Sequence, residues 1–198
     1  MNSTETERGL WDWKLVKFIL GVSILFFACN FLYFGFTEKA VRQCIAWSAR
    51  IDVVLFMLAF GATAMHRFFR NSFSFWVMMN RPFFGISFAI LHLLHLAFLI
   101  LLQQVFHPVF TLADSFALFA GGGAYFFIVL MLLTSFEPFK NRISKVNWTR
   151  LHTLGGWWIW GVFMSSYWKR VFREEYGFLI LAVLLVFVGI GRIWKRFV

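Results

Sequence analysis

A chain of 198 residues that is 61% hydrophobic, 22% aromatic and only 14% charged, with mean hydropathy +0.74, is too apolar for a soluble domain. Its formal net charge of +10 would suit nucleic acid, but the cations cluster at the ends of apolar runs. They mark topology and anionic lipid headgroups, which excludes a nucleic-acid partner and makes the lipid bilayer the first partner of the chain.

Six apolar stretches, at 13–36, 45–65, 83–106, 112–136, 148–168 and 176–194, reach or approach the roughly 20 residues that a bilayer crossing needs. The expected fold is therefore all-α: a polytopic membrane protein built as one six-transmembrane-helix bundle over 13–194. Short cytoplasmic segments, 1–12 and 195–198, flank it. The opening MNSTETERGLWDW has neither a basic leader nor a small-residue cleavage site, so the first helix is expected to be retained. With six crossings, the side that holds both termini collects thirteen of the nineteen Lys and Arg, from Arg8 through Arg67, Arg70 and Arg81 to Lys195 and Arg196. The positive-inside rule puts both termini in the cytoplasm, and the compartment is read as a bacterial inner (plasma) membrane.

The first span carries Cys29, and Cys44 stands near the start of the second. Both read as small buried residues, since spacing alone defines no disulfide. The second span opens with Arg50 and Asp52, and Arg50 is expected to snorkel or pair near the outer headgroups. It ends at His66, Arg67 and Arg70, where His66 reads as an interfacial histidine.

The third span follows Arg81-Pro82, a proline suited to a helix's first turn. Within FFGISFAILHLLHLAFLILL stand His92 and His95, at i and i+3 and so on one face, about 4.5 Å apart in height. A titratable ring in hydrocarbon is costly unless something binds it, so both are candidate site residues. Neutral imidazole is the usual ligand of b-type haem iron, and interhelical hydrogen bonding without a cofactor is the alternative. His107, beside Pro108, reads as a helix end.

The fourth span holds Asp114 near its outer end and then Gly121-Gly122-Gly123, which would let a flat macrocycle or another helix come close. It closes at Thr134-Ser135-Phe136-Glu137-Pro138, where proline reads as a helix stop. The fifth span places His152 about one turn inside the boundary, followed by Trp157, Trp158 and Trp160 interleaved with Gly155, Gly156 and Gly161. These tryptophans would either wall a macrocycle or fill its space. The sequence offers no zinc-spaced Cys/His cluster, no phosphate-binding loop, no intramembrane carboxylate pair and no serine triad.

Taken in order, Arg81-Pro-Phe-Phe-Gly85 with His95 ten residues on, Gly122-Gly123-Ala-Tyr125, Met131-Leu-Leu-Thr134-Ser135 and Trp148-Thr-Arg-Leu151-His152 resemble the ferric reductase-like transmembrane domain. That family includes the membrane part of NADPH oxidases and ferric reductases and the haem-binding subunit of the bacterial methionine-sulfoxide reductase system. The resemblance implies an electron-transfer bundle with b-type haem between histidines of the third and fifth helices. His95 matches the third-helix ligand and His152 the first fifth-helix ligand. The second fifth-helix ligand should fall at Ser165 or Ser166, and serine does not ligate haem, so at most one haem is expected.

The expected ligands are His152 with either His92 or His95. By helical rise His152 lies about 6 Å into its helix, His92 about 13.5 Å and His95 about 18 Å, so His92 is the better level match. A five-coordinate haem on His95 is the other option. Arg81, Lys145 and Arg150 would neutralise propionates. The chain ends just after the sixth span, where the reductases continue into flavin and nucleotide domains. It is therefore expected to be a subunit that takes electrons from quinol or a separate flavin reductase and passes them to a periplasmic or membrane oxidoreductase. A haem-free relative, serving as a binding, assembly or permeation module, is the alternative.

Overall fold

The computed structural model describes residues 12–107 and 114–194, with side chains in the second stretch from residue 119 onward. Arg8, Pro108, Lys195, Arg196, the flanking segments 1–11 and 195–198, the first two residues of the expected fourth span and the Asp114 side chain lie outside these described residues.

The described residues form helices and no strand: α1 (Asp12–Phe34), α2 (Glu38–Phe68), α3 (Ser72–Met79), α4 (Arg81–Leu101), α5 (Asp114–Leu133), α6 (Glu137–Lys140), α7 (Lys145–Val171) and α8 (Leu179–Trp194). A π-helical turn, Leu102–Phe106, prolongs α4, and a 3-10 turn, Tyr176–Phe178, leads into α8. Four helical segments are long and apolar enough to cross a membrane: Asp12–Phe34, Glu38–Phe68, Arg81–Phe106 and Tyr176–Trp194. At 27 residues α7 spans about 40 Å, but its tryptophans, glycines and terminal cations lower its hydropathy. In α5 the apolar stretch with described side chains is Phe119–Leu133.

Local chemistry explains most boundaries. Gly35, at φ +67°, ends α1 in the left-handed conformation that glycine adopts without strain. The backbone N–H of Ala40 then donates to Thr37 Oγ1 at 3.2 Å, an N-cap for α2. Asn71 Oδ1 likewise accepts from Ser74 N at 2.8 Å and opens α3, and Ser144 accepts from Asn147 N at 3.2 Å and opens α7. Pro82 sits in the first turn of α4, as expected. Pro138 does not simply stop a helix: it occupies the first turn of α6 after α5 has ended.

The helices gather into two compact units, residues 12–59 with 79–107 and residues 60–78 with 114–194. In the first unit α1 runs parallel to α4, with Trp13 against Phe83 and Phe27 against Phe98 at 5.8 and 5.1 Å between ring centroids. Phe27, Cys44 and Phe98 form its buried cluster, and Asn30 ties α1 to α2 by donating to Ala40 O and Cys44 Sγ. Polarity is inverted relative to a soluble protein. Leu32 is 85% exposed and Tyr33 83%, while Asp52 and Ser87 are fully buried. Large apolar side chains facing outward, with a few polar groups buried among apolar ones, suit hydrocarbon as solvent.

In the second unit α7 packs antiparallel on α5 and on α8 through tryptophans seated at glycines. A Cβ on Gly123 would lie 2.8 Å from Trp158 Nε1, and one on Gly189 would lie 2.6 Å from Trp160 Cζ2. Each indole N–H donates to a helix carbonyl nearby, Trp158 to Ala120 O at 3.1 Å and Trp160 to Leu185 O at 2.9 Å. Gly61 and Gly191 bring residues 60–68 of α2 against α8, next to Val188 and Ala64.

Candidate functional site: a ladder of hydrogen-bonded imidazoles

One antiparallel register organises the α2–α4 seam of the first unit. Ser48 meets His95, Asp52 meets His92, Phe56 meets Phe88 and Ala59 meets Gly85. The steps are three or four residues on both helices, so a single stripe of each is engaged. Glycine at 85 keeps the backbones close at one end, and a Cβ there would sit 3.9 Å from that of Ala59. Arg81 closes that end by donating from Nε to Ala59 O at 3.0 Å.

His92 Nδ1 lies 2.8 Å from Asp52 Oδ2, and His95 Nδ1 lies 2.8 Å from Ser48 Oγ. The hydrogen-bond partners assign a proton to each neutral ring. With Asp52 ionised, its carboxylate only accepts and His92 donates from Nδ1. Ser48 gives its own hydroxyl proton to Ile45 O at 3.0 Å, so its oxygen accepts from His95 Nδ1. Both rings therefore carry the lone pair on Nε2, the nitrogen that protein imidazoles commonly offer to metals. The two rings stack at 5.3 Å and 17°, and Phe88 lies 5.3 Å from His92 on α4.

Asp52 Oδ1 and Ser87 Oγ are among the buried side-chain oxygens of this unit that have no hydrogen-bond partner among the described residues, as are Gln43 Oε1 and Gln103 Oε1. Burying a carboxyl group in hydrocarbon beside one imidazole is expensive, which makes the pair the candidate functional site of this unit.

His152 is arranged the opposite way. Its Nε2 faces Thr134 Oγ1 at 3.2 Å, and Thr134 gives its hydroxyl proton to Leu130 O at 2.8 Å. With that proton given to the carbonyl, the threonine oxygen is left to accept from His152 Nε2. Trp148 stacks on this ring at 3.9 Å and donates from Nε1 to Thr134 O at 3.0 Å. Three of the six glycines expected to admit a ring are filled: Gly123 by Trp158, Gly155 by Met131 and Phe127, and Gly156 by Phe60. Gly121, Gly122 and Gly161 face nothing within 4 Å.

The remaining expected site residues are simply placed. Ser165, at the position of the absent fifth-helix ligand, is exposed and donates to Val162 O of its own helix. Lys145 and Arg150 are exposed on the first two turns of α7. His66 Nδ1 lies 3.0 Å from Ser74 Oγ, in the cap of α3. His107 is exposed in the left-handed conformation at φ +46°, where the π turn ends. Among the described residues no three His, Cys, Asp or Glu side chains converge to hold a metal ion by themselves.

Sequence reasoning missed Asp52 as a site residue, reading it with Arg50. Positions i and i+2 lie on different helix faces, and Arg50 instead donates to Ala46 O and covers the Trp47 ring. The usable signal was the Ser48/Asp52 spacing, which matches His92/His95 across a short connection.

A scan against protein-family models finds no match, and searches of curated proteins and of solved structures find none either. Fold and site therefore define a class: an all-helical protein with four described helices fit to cross a membrane. Within it, α2 and α4 bury a carboxylate–imidazole pair beside a hydroxyl–imidazole pair.

Proposed function

We propose that the chain is an integral-membrane electron-transfer subunit of the ferric reductase-like type, a six-span bundle holding one b-type haem through an imidazole of α4. The observation that carries this reading is the approach of His92 Nδ1 and His95 Nδ1 to oxygens of α2, at 2.8 Å each. Each is anchored through Nδ1 by α2, so each has its lone pair on Nε2, as a haem ligand requires. These two residues suit the group, whereas His152 turns Nε2, the nitrogen a ligand would offer, toward Thr134 Oγ1 at 3.2 Å. The haem would supply one-electron chemistry, with quinol or a separate flavin reductase as donor and a periplasmic or membrane oxidoreductase as acceptor. The protein's own contribution is to orient the ring nitrogen, exclude water and carry the site in a bilayer. The cation distribution supports both termini in the cytoplasm of a bacterial inner membrane.

A second reading has its own support. Trp158 and Trp160 occupy Gly123 and Gly189, and His152 is held by Thr134 and Trp148, which suits a haem-free bundle acting as a binding, assembly or permeation module. One experiment separates the two: a reduced-minus-oxidised spectrum with a pyridine haemochrome assay on protein from haem-replete cells. The expected result is a b-type α-band, present in His152→Ala and absent in the His92→Ala/His95→Ala double variant. A folded, helical and colourless wild type would replace the first reading with the second.

A further inference from the structure

The haem reading leaves two imidazoles for one ligand position, and the resemblance points to His95. Their partners differ in kind. Ser48 offers His95 a neutral hydroxyl oxygen, already donating to Ile45 O. Asp52 offers His92 a carboxylate oxygen, on a side chain with no exposure. A hydrogen bond to a charged acceptor is roughly twice as strong as a neutral one, and it pushes electron density into the ring, raising its basicity as a ligand. Asp52 also has no second task among the described residues. Among these residues its Oδ1 has no hydrogen-bond partner, and its Oδ2 faces His92 Nδ1 at 2.8 Å.

Geometry restricts the choice further. The rings stack nearly parallel at 5.3 Å, one about 4.5 Å above the other along α4, so both cannot approach one iron along the same axis. His92 lies between Phe88 and His95, with centroid distances of 5.3 Å on both sides. These neighbours hold the ring against tilting, and the carboxylate holds it against rotation about Cβ–Cγ.

We propose that Asp52 is the positioning residue of this site, and that by fixing the proton of His92 on Nδ1 it makes His92, not His95, the α4 ligand. This inference rests on the haem reading, and its test separates the two. In haem-loaded full-length protein, His92→Ala is expected to lose the haem and His95→Ala to keep it. Asp52→Asn is expected to raise the haem midpoint potential, Asp52→Glu to restore it, and Ser48→Ala to leave it unchanged. Loss of haem in His95→Ala with retention in His92→Ala would overturn the assignment, as would a potential that moves with Ser48→Ala and not with Asp52→Asn. Should Asp52→Asn fail to fold, the His92→Ala, His95→Ala and Ser48→Ala measurements still decide.

Nitrogen-15 NMR of histidine-labelled protein without haem gives a readout independent of cofactor loading. The wild type should show His92 protonated on Nδ1, with a shifted tautomer population in Asp52→Asn. A wild type that takes up no haem removes the function reading and the ligand assignment together. An unchanged His92 signal in Asp52→Asn removes the positioning role itself, whatever the haem content.

Discussion

Histidine is used in opposite ways in the two units. Along α2 and α4, two imidazoles are anchored through Nδ1 and keep the lone pair on Nε2. On α7, His152 is anchored through Nε2 and lies under an indole, in a unit where aromatic rings take the space at Gly123, Gly156 and Gly189. An imidazole's role follows from its partners more than from its position in an apolar run. A carboxylate or an already-donating hydroxyl beside Nδ1 prepares a ligand, whereas the same hydroxyl beside Nε2 makes a structural bond.

The sharpest way to break this comparison is to remove Asp52. Asp52→Ala leaves a buried imidazole N–H without its acceptor and should cost about 3 kcal/mol or more, read from denaturant unfolding in detergent or bilayers. A loss below that of an ordinary surface change would mean the pair is not buried in the folded protein. Gly123→Ala comes next, at about 1–3 kcal/mol, because a Cβ there meets the Trp158 ring at 2.8 Å. Its control is Gly121→Ala, which meets nothing within 4 Å and should be neutral or stabilising by up to about 1 kcal/mol. Equal effects at the two glycines would remove the indole from its seat. Thr134→Val should cost about 1 kcal/mol, since it deletes one hydrogen bond to a partly exposed imidazole while keeping the shape. If haem is bound through α4 as proposed, this variant should leave its spectrum unchanged.

Composition and apolar run length were enough to read the helices, since each depends only on its own segment. The first, second, third and sixth spans expected from hydropathy all correspond to helical segments fit to cross a membrane. Short α3 was not legible, because it depends on Asn71 capping Ser74 and on Ser74 bonding His66, Phe69 O and Asn71 O. His92 and His95 were legible as a site because a polar ring in hydrocarbon is conspicuous. Asp52 was not, because its meaning lies in register: it needs the knowledge that residue 52 of one helix stands opposite residue 92 of another. The Trp158–Gly123 and Trp160–Gly189 pairs were equally hidden, since a glycine states only that space exists and not which ring takes it.

The smallest expected effect isolates the environment from the geometry. Arg42 and Glu38, one turn apart at the start of α2, approach to 2.7 Å, which is as close as His92 and Asp52 at 2.8 Å. Length alone would rank the two pairs as equals. The arginine and glutamate side chains are 54% and 46% exposed, however, and water competes for both, so the pair adds only a few tenths of a kcal/mol. Glu38→Gln should therefore shift unfolding by about 0.3 kcal/mol, and added salt should erase even that difference. The Asp52→Ala penalty should persist in salt, because a side chain with no exposure is beyond the reach of counterions. If the two variants instead showed equal losses with equal salt dependence, the α2–α4 seam would be open to water. The carboxylate would then no longer be confined to one imidazole, and its hold on His92 would weaken to that of any surface pair.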